Sequence, residues 1–254
     1  MDDLKGKTAI VTGASRGIGA ATARELAGLG VNVVLVARSE GEIAGIADEI
    51  NKAGGKAAAV ASDVARYEDV QTAVDTAVER FGGLDILVNN AGLIEPIAHL
   101  VESDPAAWDL VVDVNLKGVY HGLRAALPVM VGQGAGVVVN ISSGAAISAM
   151  EGWSHYCATK AAVLSLTRCA DKEVGDKGVR IVGLSPGTVA THMQVAIRAS
   201  GINPVSQLDP SVHIPPEWAA RAIAWLARDA AADIRGEDFV LREEANRRRV
   251  GLPA

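Results

Sequence analysis

Residues Thr8–Gly19 read TAIVTGASRGIG: five residues of strand character run into a turn carrying Gly13, Gly17 and Gly19, and a segment of helical period opens behind them. Glycines at such a junction permit a tight turn, close approach of backbone to a phosphate and close packing of helix on strand, while the helix N-terminus favours an anion. The spacing is GxxxGxG, not GxGxxG, and three glycines alone are a weak signal. Their position after the first strand and at the start of the first helix is the context that gives the motif meaning. The turn Gly13, Ser15, Arg16, Gly17, Ile18, Gly19 is therefore a candidate pyrophosphate seat.

Outward from this turn the chain alternates two kinds of segment. Thr8–Thr12, Asn32–Ala37, Lys56–Ala61, Leu84–Asn89, Val137–Ile141 and Arg180–Leu184 are near-continuous apolar runs, as suits strands covered on both faces, and Ile234–Leu241 stands where a last strand would fall. Ile18–Leu29, Gly41–Lys52, Tyr67–Phe81, Pro105–Val131 and Trp153–Val174 have helical period, and Asp104 before Pro105 reads as an N-cap followed by proline at the first helical position. The alternation predicts an α/β fold, a doubly wound parallel sheet of about seven strands with helices on both faces. No composition shift or linker divides residues 1–254, which read as one domain.

Of 254 residues, 49% are hydrophobic and 21% charged, the balance of a soluble protein with a sizeable core. A net charge of -6 and a pI near 5.4 recommend neither nucleic acid nor anionic lipid as partner. No apolar run reaches membrane-span length and the segment Met1–Lys7 is too charged for a signal peptide, so a cytoplasmic protein is expected. The five histidines show no metal-ligand spacing, so no metal is expected, and Cys157 and Cys169 on one helix would stand roughly 18 Å apart, too far for a disulfide. The basic run Arg247–Arg249, offset by Glu243 and Glu244, reads as a solvated tail.

A second informative stretch is Ser143–Lys160. Tyr156 and Lys160 stand four apart, so on a helix they share one face. An ammonium one turn from a phenol favours the phenolate and would lower a pKa that is ordinarily about 10, fitting the phenol for proton transfer to or from a carbonyl or alcohol oxygen. Ser143, just past an apolar strand, would hold the same oxygen. Alone, the pair reads more readily as a partly exposed helix face; the rest of the chain favours the chemical reading. After the second strand, where an acidic residue would bind the ribose 2'-hydroxyl of NAD, the chain has Ala37 and Arg38. Arg38, with Arg16 from the turn, would accommodate a 2'-phosphate, so NADP is preferred over NAD.

These residues resemble the classical short-chain dehydrogenase/reductase family over nearly the whole chain. The glycine turn matches at Gly13, Gly17 and Gly19; Asp63 and Val64 follow the third strand; Asn89, Asn90, Ala91 and Gly92 follow the fourth; Asn115, Ser143, Tyr156, Lys160, Pro186, Gly187 and Thr191 complete the pattern in order. The resemblance implies a single Rossmann-like domain. It implies Asn115, Ser143, Tyr156 and Lys160 as catalytic, with Asn115 holding a water through a local break in its helix. Asp63 would bond the adenine, although an aspartate there could equally cap a helix. Asn90, Ala91 and Gly92 would line the ribose, Asn89 would brace the central strands, and Pro186, Gly187, Val189 and Thr191 would hold the nicotinamide.

The implied reaction is interconversion of a carbonyl and a secondary alcohol, with NADPH as reductant. Pocket candidates are Leu93, Ile94, Glu95, Ala145, Met150, Trp153, His192 and Met193, within a substrate stretch over 192–214. Met150 and Trp153 fit an apolar wall for a hydrophobic ketone or diketone, or ordinary core. His155 should point elsewhere on its helix. The segment 242–254 lacks the Asp-Gly-Gly-like ending common in the family, and a homodimer through the helices Pro105–Val131 and Trp153–Val174 is the minimum expected assembly, with a homotetramer the alternative. Alternative functions are a β-ketoacyl thioester reductase, a non-catalytic NADP-sensing module, and an epimerase.

Overall fold

The strands β1 (Thr8–Thr12), β2 (Asn32–Ala37), β3 (Lys56–Ala61), β4 (Ile86–Asn89), β5 (Gly136–Ile141), β6 (Val179–Ser185) and β7 (Asp238–Val240) form one parallel sheet in the order β3-β2-β1-β4-β5-β6-β7. The computed structural model describes residues 3–253. Between strands come α1 (Gly17–Gly28), α2 (Glu40–Lys52), α3 (Tyr67–Phe81), α4 (Pro105–Val112), α5 (Gly118–Gln133), α6 (Ser154–Val174), α7 (His192–Ser200), α8 (Pro216–Leu226) and, after the last strand, α9 (Glu244–Val250). This is the doubly wound, Rossmann-like single domain the alternation predicts.

Successive residues of a strand point to opposite faces, and two clusters divide accordingly. Ala9, Val11, Val33 and Leu35 pack with α1, α2 and α8; Ile10, Val34 and Val36 pack with α3, α5 and α6. Hence the central strands carry no polar side: β1 and β4 are buried throughout, whereas the edge strand β3 is partly exposed. Strand order reverses between β1 and β4, and the crevice beyond their carboxyl ends is where an open α/β sheet binds a ligand.

Several expectations need correction. The span Pro105–Val131 is not one regular helix: a π-helical turn, Asp113–Lys117, separates α4 from α5, which continues to Gln133 past Pro128. The capping reading at its start is right, since the Ala107 N–H donates to Asp104 Oδ1 at 2.8 Å. β4 begins two residues later than expected, because the Leu84 N–H donates to Gln133 Oε1 and its carbonyl accepts from Gln133 Nε2, so Leu84 pairs with a side chain instead of a strand. β7 spans three residues, not the full Ile234–Leu241. In the stretch after Thr191, expected as a loop with one short helix, α7 is followed by short 3-10 turns at Pro204–Gln207 and Pro210–Val212; α8 beyond it is a helix the sequence reading left out, although Pro216 opens it and Ala219, Ala222, Ile223 and Leu226 recur at helical spacing.

The basic C-terminal run is not a solvated tail either. It lies in α9, where the Arg249 guanidinium stacks 4.9 Å over Trp225 and pairs with Asp233 at 2.8 Å. Arg247 donates to the carbonyl oxygens of Arg242 (2.7 Å) and Pro253 (3.0 Å), Arg248 pairs with Glu244, and Leu252 is buried. Arginine side chains here satisfy backbone acceptors at a chain end, and flat guanidinium on indole adds a cation–π contact.

Candidate active site

At the sheet's reversal point the ends of β1 and β4 are stitched together. Thr12 Oγ1 donates to the Val88 carbonyl at 3.2 Å and accepts from the Asn90 and Ala91 N–H groups at 2.9 and 3.1 Å. Asn90 Nδ2 donates to the Thr12 and Gly13 carbonyls at 2.9 and 3.2 Å, holding the glycine turn from below. Gly13 (φ 63°) and Gly17 (φ 55°) occupy left-handed conformations that other residues enter at a cost. A Cβ on Gly19 would fall on the Gly13 carbonyl, so only glycine lets α1 start so close to β1. No acidic side chain sits in the first turn of α1 and no side chain caps it, leaving its N–H groups free for an anion.

This turn opens into a cavity of about 1160 Å³. Ser15, Arg16, Ile18, Arg38, Asp63, Val64, Asn90, Ala91 and Gly92 line one end; Pro186, Gly187, Val189 and Thr191 line its middle, with Thr191 against Gly17. Asp63 is not a helix N-cap: Arg66 holds that position in α3, while Asp63 Oδ1 accepts from the Ala65 N–H at 3.0 Å in a local turn. Asn89 braces β4 to β5, donating to Asn140 Oδ1 at 2.9 Å, and Asn140 donates in turn to Thr167 of α6.

The other end of the cavity holds Ser143, Tyr156 and Lys160. Lys160 Nζ lies 5.5 Å from the Tyr156 ring centroid and donates to the Ile141 carbonyl at 2.6 Å. The expectation that the ammonium lowers the phenol's pKa does not describe this structure. Burial pushes Tyr156 up to about 12, with the neighbouring Ser143 hydroxyl acting the other way; burial likewise pushes Lys160 down to about 8, opposed by Asp238. Desolvation dominates both shifts because each group is almost wholly removed from solvent. Asn115 is fully buried in the π-helical turn, where Oδ1 accepts from the Leu93 N–H at 2.7 Å and Nδ2 donates to the Leu93 carbonyl at 2.8 Å.

The wall around Tyr156 is apolar. Ile94, Ala145, Trp153 and Ile197 are buried with it, Met150, Met193 and Val205 pack against them, and Trp153 meets the tyrosine ring edge-on at 5.7 Å. His192 lines the same cavity. Buried His155 faces away from the chemistry, as expected; it donates from Nε2 to the Ile94 carbonyl at 2.9 Å and anchors the loop after β4. Sequence reasoning missed Ile197, although its four-residue spacing from Met193 could have placed both on one helical face. It also missed Ser142, Asp238 and Val240, which line the cavity from the ends of β5 and β7 and carry no local signal in the sequence.

Chemically, a protonated phenol, a hydroxyl and an ammonium converge on an apolar chamber continuous with a phosphate-sized glycine turn. Residues 7–201 match the family described as short chain dehydrogenase. The chain is 40% identical to 3beta-hydroxysteroid dehydrogenase 1 of Eggerthella lenta, covering 92% of each. It is 37% identical to a 3-oxoacyl-acyl-carrier-protein reductase of Synechocystis sp., covering 94% of this chain and 96% of the relative. It is 34% identical to a cyclohexanol dehydrogenase of Acinetobacter sp., covering 92% and 93%. With the sheet order, the glycine turn and these matches in agreement, the chain belongs to the short chain dehydrogenase family of oxidoreductases, whose cofactors are NAD(P).

Proposed function

We propose that the protein is an NADP-dependent carbonyl reductase that interconverts a hydrophobic ketone or diketone and its secondary alcohol, with Tyr156 as general acid and base. The observation that carries this reading is the buried Tyr156–Lys160 pair, 5.5 Å from ring centroid to Nζ, in one cavity with the glycine turn. The site fits a dinucleotide: the glycine cradle has no room for a Cβ at Gly19, and the first turn of α1 offers unpaired N–H groups. Arg16 and Arg38 line the adenosine end and favour a ribose 2'-phosphate, which supports NADP over NAD.

When bound, the nicotinamide supplies the hydride that reduces a carbonyl carbon or accepts it from an alcohol. The chain's own groups manage the oxygen and the proton. Tyr156, held protonated at neutral pH by burial, gives a proton to the carbonyl oxygen, the form from which a reduction starts. The Ser143 hydroxyl fixes that oxygen. Lys160, still largely ammonium at neutral pH, binds the nicotinamide ribose and compensates the phenolate once it forms. Asn115, in its break between α4 and α5, orders the water that returns the proton. Pro186, Gly187, Val189 and Thr191 orient the carboxamide; Asp63, Val64, Asn90, Ala91 and Gly92 hold the adenosine.

The segment 192–214 is read as the substrate loop of a single domain, with Met193, Ala145, Met150 and Trp153 as its apolar surroundings and His192 at the rim. The relatives named for a hydroxysteroid and for cyclohexanol favour a bulky alicyclic substrate. A second reading, a β-ketoacyl thioester reductase, is favoured by the acyl-carrier-protein relative. Partly exposed Leu110 and Tyr120 on α4 and α5 fit a homodimer contact, and the location is read as cytoplasmic; no described helix is long and apolar enough to cross a membrane. The test is NADPH consumption against alicyclic ketones, diketones, steroid ketones and β-ketoacyl thioesters. Tyr156→Phe should lower kcat by roughly 10²–10⁴-fold while NADPH still binds; a variant that keeps most of its turnover overturns the assignment.

A further inference from the structure

Asn140 of β5, Gly183 of β6 and Asp238 of β7 lie side by side across three strands. The Asn140 side chain reaches Thr167, so this row faces α6, the helix that carries Tyr156 and Lys160. Gly183 supplies no side chain, and a Cβ there would fall on Asp238 Oδ1. The Asp238 carboxylate therefore lies flat across β6 and reaches the end of β5, where Ser142 Oγ donates to Oδ2 at 2.6 Å. Its other oxygen, Oδ1, is buried and has no hydrogen-bond partner among the described residues. A carboxylate oxygen buried without a partner is costly unless a positive charge lies nearby.

The positive charge nearest the chemistry is Lys160. Its Nζ is anchored on the Ile141 carbonyl, one residue before Ser142 and two before Ser143, and Asp238 lines the same cavity. Other charges around the row are accounted for. Arg168, farther along α6, is engaged at 2.7 Å by Glu237 at the exposed edge of the sheet. Arg180 of β6 faces away, donating to the carbonyls of Leu226, Arg228 and Ile234. Asp171 of α6 pairs with Arg235 at 2.9 Å. β5 has no titratable side chain, and on α6 the remaining partner of Lys160 is Tyr156.

We propose that Asp238 is a positioning residue: held over Gly183 by Ser142, its carboxylate is the counter-charge that keeps the buried Lys160 side chain an ammonium beside Tyr156. This rests on the catalytic reading of Tyr156 and Lys160. The direction of the titrations agrees with it: burial raises the Asp238 carboxyl, Ser142 and then Lys160 pull it back, Glu237 and Arg168 act on it less and in opposite senses, and Asp238 in turn supports the Lys160 proton against burial. Without that charge Lys160 releases its proton at lower pH, and the phenolate loses its compensation as pH rises.

The experiment compares wild type with Asp238→Asn, which keeps the shape and an acceptor for Ser142 but removes the charge. Protein labelled with carbon-13 at lysine Cε, with the Lys160 signal identified by its loss in Lys160→Arg, reads the ammonium's titration directly and without turnover. The expected result is a Lys160 midpoint lowered by roughly one pH unit in Asp238→Asn, with the alkaline fall of kcat moving down in parallel. An unchanged midpoint overturns the assignment of Asp238. If Asp238→Asn does not fold, Asp238→Thr gives the same two outcomes. Failure of the underlying reading looks different: Tyr156→Phe would then keep its turnover, whatever Asp238 does to Lys160.

Discussion

Asn115 and Leu93 are joined twice, by Leu93 N–H to Asn115 Oδ1 at 2.7 Å and by Asn115 Nδ2 to the Leu93 carbonyl at 2.8 Å, so one side chain pairs with the backbone after β4 as a neighbouring strand would. The helix yields to make this possible, widening into a π-helical turn over Asp113–Lys117. Such turns inside α-helices are frequent at functional sites.

Asn115→Ala leaves the Leu93 N–H and carbonyl unpaired in the interior. Each buried orphan costs about 1–3 kcal/mol, so the variant should lose at least that much unfolding free energy in urea. The displaced Leu93 loop also borders the cavity, and kcat should fall together with stability. Stability equal to wild type would show that water takes over both bonds.

Gly122 and Asn89 should show strong coupling. A Cβ on Gly122 would fall on Asn89 Oδ1, between α5 and the central strand. Gly122→Ala should therefore destabilise by about 1–3 kcal/mol through overpacking. In an Asn89→Ala background the clash is absent, and the same substitution should be neutral or stabilise by up to about 1 kcal/mol through helix propensity. A double-mutant cycle by denaturant unfolding measures the difference; equal effects in both backgrounds would rule out the contact.

Lys160 makes stability depend on pH in a definite direction. Its pKa falls from 10.5 unfolded to about 8 folded, so between these values the folded chain has released a proton that the unfolded chain still holds. Stability from this group rises with pH across that window, and the burial penalty is present in full below pH 8. Lys160→Met removes the penalty. Its stability advantage over wild type should shrink by on the order of 3 kcal/mol between pH 8 and 10.5, because each pH unit separating the folded and unfolded values is worth about 1.36 kcal/mol. Urea unfolding of both proteins at stepped pH tests this, and a difference that does not change with pH would contradict it.

Arg38 should decide between dinucleotides. On the NADP reading, Arg38→Ala would remove a charge-assisted bond to a 2'-phosphate, worth about 1.5–3 kcal/mol, so NADPH should bind roughly 10- to 150-fold more weakly while NADH is little affected. Titration of each cofactor by fluorescence measures both constants. Parallel loss of NADPH and NADH would mean that Arg38 supports the fold of the cleft and not cofactor choice.

Much of this site is legible in the chain because its chemistry is locally encoded. Thr8–Thr12 and Gly13–Gly19 place a glycine turn after a strand by adjacent residues alone, and Tyr156 and Lys160 share a face because four residues make about one helical turn. Asn115, by contrast, looks like any mid-helix asparagine until Leu93, distant in the chain, is brought beside it. The same holds for Arg249, whose place over Trp225 gives the C-terminal run a packed role that its composition does not announce.

From the sequence alone came the α/β alternation, the glycine cradle and the identity of the residues around it, since strand periodicity, helix spacing and turn stereochemistry act over a few neighbouring residues. The tertiary structure decided what depends on burial and on residues far apart in the chain. It set the phenol of Tyr156 above its ordinary pKa and the amine of Lys160 below, because removal from water penalises a charge more than one neighbour relieves it. It also laid Asp238 across Gly183 to Ser142, a contact between three strands that exists only once the sheet has formed.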